Sequence, residues 1–383
     1  MLKQTIYNLV IGTILFTLFN ASAEEKKESS YDKIWQHTRL IQTPDSTIFQ
    51  SLELSGRLQG DAFSFRESDF SNENLKWRRL RLGFKAHLFN QITLHSEMDL
   101  NLNETDQNWD TFYYRLTDSY LNWKFSDKNS LKIGKQSAGF TLDGATSSKK
   151  LITPERSIVA DNLWFPTEYF SGAQWAGHSE NFGYKTGLFS ASGEAEFGHF
   201  ESGYFALFSI DWNIGENGTL RLDYVYNNPD HSSDYQVGAR NLSHIGALVY
   251  KQMYSKKLGL WSDIAIAKGI KDRTNSIDQG DLFGWDITPF YNINEQLQLV
   301  LQYSAVLDLE NQSTVRMSRY AYKNVTGKKV ESTHNLLLGF NWYLYGHKLK
   351  WQNAIEYNFG EDLDQSGKNY SGYGLTSAFR MSW

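Results

Sequence analysis

The residues with most chemistry to offer stand together in segment 140–169. Hydroxyls come first, at Thr141, Thr146, Ser147 and Ser148, with Gly144 among them. Lys149 and Lys150 follow, and then Glu155-Arg156-Ser157. Hydroxyl donors beside a guanidinium are what a partly dehydrated oxyanion needs, because arginine presents a planar fork of donors and stays charged. A solvated surface loop has the same composition, so the role of this segment depends on what holds it. A second basic segment, 310–332, carries Arg316, Arg319, Lys323, Lys328 and Lys329, with no acid between Gln312 and Lys329. It reads either as a mouth that gathers anions or as a loop solvated or in contact with lipopolysaccharide phosphates. Segment 103–110 is acidic and reads as solvated carboxylates or a place for bridging divalent cations.

Covalent chemistry is poorly served. His87, His95 and Asp99 fall on one face of adjacent alternating segments, but no serine stands in an activated setting. Gly134-Lys135-Gln136-Ser137 lacks the upstream glycine spacing of a phosphate-cradling loop, and no metal-ligand spacing or dinucleotide motif occurs. The expectation is a protein that is not an enzyme and uses no cofactor and no metal. A net charge of -5, with no basic run interleaved with aromatics, argues against nucleic acid.

The elements that must position these residues alternate with a period of two. Leu80, Leu82, Phe84, Ala86 and Leu88 share one face of a segment whose other face carries Arg79, Arg81, Gly83, Lys85 and His87. Such a pattern makes one side apolar and the other polar. Asp61, Glu97, Asp99, Asp118 and Asp223 fall on the same polar side as Arg57, Arg81, Lys85 and Arg221, so these charges are candidates to pair. The chain ends on Tyr373, Leu375, Ser377, Phe379, Met381 and Trp383 against Gly374, Thr376, Ala378, Arg380 and Ser382. A patterned strand that runs to the last residue must be held on both sides, which points to a sheet closed on itself.

Connections alternate in length. Tight turns fall near 90–91, 126–129, 180–181, 215–218, 255–256, 292–294 and 346–347. Longer polar loops lie between them, near 67–74, 103–110, 140–169, 192–201, 227–240, 269–279, 310–332 and 360–370. Eight loops and seven turns predict an all-β fold: a transmembrane antiparallel barrel of about 16 strands, with turns in the periplasm and loops outside. Mean hydropathy is only -0.50, but alternation hides a barrel's lipid face from any window average, and 15 % aromatics suit two interfacial girdles. No segment after the N-terminus approaches the roughly 18 to 20 apolar residues of a spanning helix. Pro289 is a tension, since it sits inside a strand of a sheet with no edge. At the N-terminus Lys3, the short apolar run 9–19 and Ala21-Ser22-Ala23 predict a signal peptide, 1–23, and a start at Glu24. Residues 24–48 read as a polar periplasmic segment and 49–383 as the outer-membrane barrel. Cysteine is absent, so disulfides play no part.

Three stretches carry a resemblance: SGRLQGD at 55–61, WRRLRLGF at 77–84 and GFTLDGATSSKKLITPERS at 139–157. In order and spacing they resemble the phosphate-selective porin O and P family, trimeric 16-stranded channels for small anions with a third loop folded inward. The resemblance implies a homotrimer passing phosphate-like anions, among outer-membrane lipid and lipopolysaccharide. It implies that Arg57, Arg78, Arg79 and Arg156 line the constriction, with Ser147 and Ser148 as the loop hydroxyls. Gly144 stands where phosphate-selective members have a lysine, for which Lys149 or Lys150 are candidate substitutes. A general or differently selective porin, and a surface adhesin whose barrel is plugged, are the alternatives. By strict alternation Arg78 faces lipid, which near mid-bilayer costs about 2–4 kcal/mol. Either it sits at the rim or a bulge turns it inward.

Overall fold

The computed structural model describes residues 29–67, 71–103 and 112–383. The signal-peptide and Glu24 readings lie outside them, as does most of the acidic segment 103–110. The chain divides into two units, at residues 1–37 and 38–383. In the first, helix α1 (Ser30–Gln36) is closed by a capping box: the Tyr31 amide donates to Ser29 Oγ at 3.2 Å and the Ser29 amide to Asp32 Oδ2 at 3.1 Å. The lead-in read as polar and without period therefore holds a helix. Seven residues are too few to display a period, and the cap supplies the start signal instead.

The second unit is a closed sheet. Its strands are β1 (Phe49–Arg66), β2 (Ser71–Leu88), β3 (Ile92–Leu100), β4 (Tyr113–Ser126), β5 (Asn129–Ser137), β6 (Tyr169–His178), β7 (Phe182–Ser190) and β8 (Gly203–Ile214). They continue as β9 (Gly218–Pro229), β10 (Leu242–Met253), β11 (Leu258–Gly269), β12 (Leu282–Asn292), β13 (Leu297–Asp308), β14 (Ser332–Tyr345), β15 (Leu349–Glu361) and β16 (Tyr370–Ser382). Each pairs antiparallel with the next, and β16 pairs with β1 from Tyr373↔Arg66 to Ser382↔Arg57. This is a barrel of 16 strands. The Trp383 amide and carbonyl exchange 3.2 Å hydrogen bonds with Gly56, and the indole lies where a Cβ on residue 56 would be, so only glycine fits there. Arg39–Gln42 adds a short strand beside Ser51–Glu53.

Burial is inside out. Phe84, Leu222, Leu248, Ile264, Ile266, Leu338 and Ile355 are exposed, while Arg81, Lys350, Gln352, Asn358 and Thr376 are buried. The exposed apolar face meets lipid, and the polar face looks inward. No helix among the described residues is long and apolar enough to cross a membrane; the strands cross it. Pro289 interrupts its ladder without shifting it: β12 and β13 pair at Ile287↔Tyr303 and again at Phe290↔Val300, with Thr288 and Pro289 unpaired between. The lost donor is confined to the periplasmic end of the strand.

The interior wall of β7 to β9 breaks the polar rule. Phe189, Phe205, Leu207 and Val225 point inward and are fully buried. Phe165 of the third loop sits edge-on to Phe205 at 5.0 Å, to Phe140 at 5.2 Å and to Phe170 at 5.8 Å. Burying one such ring contributes about 2–3 kcal/mol, enough to dock the loop inside the barrel. The loop's helix α2 (Ile158–Leu163) adds Ile158, Val159 and Leu163 to the same cluster. The long loop 309–331 also turns inward. Its helix α3 (Arg319–Asn324) places Tyr320 on Phe63 at 3.9 Å between ring centres and its hydroxyl on Asp61 Oδ2 at 2.6 Å.

Candidate functional site

The third loop, 138–168, is tied to the wall on every side. Lys185 Nζ donates to Gly139 O at 2.6 Å and Arg221 to Thr141 O at 2.7 Å, and the Leu142 amide donates to Asp263 Oδ2 at 2.9 Å. Further along, Lys251 reaches Thr146 Oγ1 at 3.2 Å, Lys350 donates to Leu151 O, Asn341 donates to Ile152 O at 2.7 Å and Arg380 to Pro154 O at 2.8 Å. Backbone of irregular shape is tolerated at membrane depth when it is satisfied in this way. The loop therefore narrows the lumen.

The arginines singled out in the sequence all reach this loop. Arg57 donates to Ser148 Oγ at 2.7 Å and to Glu97 at 2.8 Å. Arg79 meets Gln59 at 3.1 Å and Glu168 at 3.3 Å. Arg156 donates to Asp143 O at 3.0 Å and to Glu168 at 3.2 Å, with its guanidinium 4.6 Å from the centre of the Trp164 ring. Arg78 grips Glu155 with two bonds, at 2.7 and 3.3 Å. Its direction is set by a bulge: Gln59 pairs with Arg79 but Gly60 with Trp77, which leaves Arg78 as the extra residue and turns it inward. Strict alternation through Arg78 is thus corrected, and the bulge alternative is what the chain uses. Ser147 is exposed and, among the described residues, its Oγ accepts only from the Lys149 amide, at 3.4 Å, so it does not share Ser148's contact with Arg57.

The expected pairing of Arg81 with an inward acid joins the same rim, whereas Arg115 and Glu168 were less visible. Arg81 holds Asp99 with bonds of 2.5 and 3.0 Å and also reaches the Tyr169 hydroxyl. Arg115 joins Asp99 at 3.1 Å and Thr167 O at 2.8 Å. Glu168 accepts from Arg79 and Arg156, and sits at φ 66°, a conformation uncommon outside glycine. No sequence signal marks it, because its partners are remote in the chain. Burial pushes its carboxyl up, but the Arg156 and Arg79 guanidiniums overcome this and hold it well below the usual range. Among the acids expected to face inward, Asp61 pairs with Arg380 at 2.5 Å and Asp223 with Arg221 at 2.9 Å.

Gly144 has a packing reason. A Cβ there would lie 2.2 Å from Phe140 O and 2.6 Å from the Trp164 ring, so no side chain is accommodated. Lys149 stands on the same side as Arg57 and Glu97; burial first, then Arg57, lower its ammonium to about 8. His95 is held between Ser55 and Tyr120 at 3.2 Å each.

A barrel of porin size whose inward loop sets a charged constriction defines an outer-membrane porin, a channel and not an enzyme. The chain belongs to the family described as phosphate-selective porin O and P, which it matches over residues 52–248. An uncharacterised protein of Aquifex aeolicus (strain VF5) is 24 % identical over 321 residues, covering 76 % of this chain and 74 % of the relative. Solved structures share the fold at low identity. The outer membrane channel DcaP of Acinetobacter baumannii is 12 % identical, with a TM-score of 0.58 over 90 % of this chain and 99 % of its own. For an anion-selective porin from Comamonas acidovorans the values are 12 %, 0.59, 87 % and 99 %. For Salmonella typhi OmpF they are 11 %, 0.61, 89 % and 100 %.

Proposed function

We propose that this porin passes small anions, phosphate-like oxyanions among them, by passive diffusion through the rim formed by Arg57, Arg78, Arg79, Arg156 and Ser148. The observation that carries the reading is a charge surplus in a narrow place. Seven guanidiniums, of Arg57, Arg78, Arg79, Arg81, Arg115, Arg156 and Arg319, share four carboxylates, of Glu97, Asp99, Glu155 and Glu168. Lys149 adds a further cation below its shifted pKa. An anion that sheds part of its water there finds donors, and leaves because no group holds it tightly.

The same pairing bears on which anion is preferred. Each family-position arginine already has a carboxylate, so a phosphate must share its donors with a negative group, which weakens a multivalent site. A weakly selective anion porin is favoured over a tight phosphate binder. As in the trimer of Vibrio cholerae OmpT, a distant structural neighbour, assembly as a homotrimer is proposed, embedded in lipid and lipopolysaccharide.

Block of single-channel chloride current by added inorganic phosphate tests the site. Weak block is expected, and Arg156→Ala should weaken it several-fold. Block that survives Arg156→Ala unchanged would place the anion elsewhere.

A further inference from the structure

The constriction is not the only basic place in the lumen. On the loop side of it lies a cavity of about 730 Å³, lined by Arg115, Lys135, Arg240, Arg316 and Lys329 and by a single carboxylate, Glu194. Arg115 is engaged by Asp99, and Lys135 by the carbonyls of Glu194, Ala195 and Glu196. The other three differ from every arginine of the rim. Among the described residues, Arg240, Arg316 and Lys329 have no carboxylate within 4.0 Å.

The two arginines are nevertheless fixed. Arg240 donates to Trp164 O at 2.8 Å and to Asp161 O, at the end of α2. The Arg316 amide donates to Asn162 Oδ1 at 2.8 Å, and its guanidinium lies 5.2 Å from the centre of the Tyr322 ring. The carbonyls that hold Arg240 are neutral, and Asp161 and Asp308 act on Arg240 and Lys329 only from beyond ion-pair distance, so cations outnumber the one carboxylate that lines the cavity. Burial first, and then the Arg316 guanidinium, lower Arg240 to about 9. A further polar atom in the wall, His231 Nε2, is buried with no partner. Three cations without an ion-pair partner around one space favour a ligand with more than one negative charge. A volume in the range of small-molecule sites calls for a body larger than an inorganic ion, and the polar side chains of Asn241, Gln236 and Gln279 that complete the wall suit hydroxyls.

We propose that this cavity is a binding site for a small organic polyanion, with two or more carboxylate or phosphate groups on a hydroxylated carbon body, held by Arg240, Arg316 and Lys329 before it reaches the constriction. The proposal deepens the anion-porin reading and rests on it. The test is block of single-channel KCl current by citrate and by fructose 1,6-bisphosphate, each added to one side at a time, with glucose and inorganic phosphate for comparison. Citrate or the sugar phosphate should block from the loop side at lower concentration than from the turn side, and at lower concentration than inorganic phosphate; glucose should not block. The two polyanions separate carboxylate from phosphate preference within the proposed class. Arg316→Gln combined with Lys329→Gln should raise the half-blocking concentration of the preferred polyanion at least tenfold and that of phosphate by much less. Lys328→Gln, an exposed neighbour outside the cavity, should leave block unchanged. Equal block from both sides, or loss no greater than that of phosphate, overturns the proposal. Anion preference in a KCl gradient with no polyanion block defeats this proposal alone, whereas cation preference defeats the parent reading.

Discussion

At the residue scale, Glu168 has two opposed roles. It neutralises Arg79 and Arg156, and so steadies the rim while lowering its charge. Its carboxyl is depressed in the folded state, so its contribution to stability is present above the ordinary carboxylate range and is lost as pH falls through the depressed value. Glu168→Gln should therefore cost about 3 kcal/mol, since it leaves buried guanidiniums short of a counter-charge. The same substitution should increase anion preference in bilayers. A lower melting temperature with unchanged selectivity would mean that the rim does not set the field. Lys149 predicts a pH effect of known sign. It is charged below about 8 and neutral above, so the anion preference should fall between pH 7 and 9.5. Lys149→Gln should shrink that step, and reversal potentials measured across this range decide it.

At the scale of elements, the third loop is held by an aromatic dock and by wall donors. Phe165→Ala should cost about 3–4 kcal/mol locally. It should appear as larger and noisier single-channel conductance, while an unaltered conductance would show that the polar ties alone hold the loop. Under the loop, Asp263 and Asp286 are directly opposed across β11 and β12, each buried with one oxygen unpartnered. An amide in place of one carboxylate supplies a donor to the other. Asp286→Asn should leave thermal stability unchanged or raised, and a marked loss would show that both carboxylates are required. Much of this scale was legible in the sequence. Alternation gave the faces of Arg79, Arg81 and Leu80, and loop lengths separated the two ends of the barrel. Three features resisted. The bulge at Arg78 depends on a one-residue slip that leaves no compositional trace. The inward phenylalanines of β7 and β8 obey the period but reverse the polarity expected of a lumen. The inward fold of 309–331 follows from the stacking of Tyr320 on Phe63, a contact between residues far apart in the chain.

At the scale of the whole molecule, closure and selection are separate jobs carried by neighbouring atoms. Ser382 pairs with Arg57, and Trp383 covers Gly56, one residue before that arginine. The seam of the barrel thus fixes the backbone that carries Arg57, the first cation of the proposed constriction. Arg57 then leaves the wall to meet Ser148, while Glu97 limits its charge. On the proposed reading, anion preference comes from a small surplus of cations over carboxylates at one narrow level, in a chain whose overall charge is negative. The reversal potential of single channels in a KCl gradient tests this most directly. The account predicts modest anion preference, reduced by Arg57→Gln and increased by Glu168→Gln. Cation preference, or a potential that neither substitution moves, would contradict it.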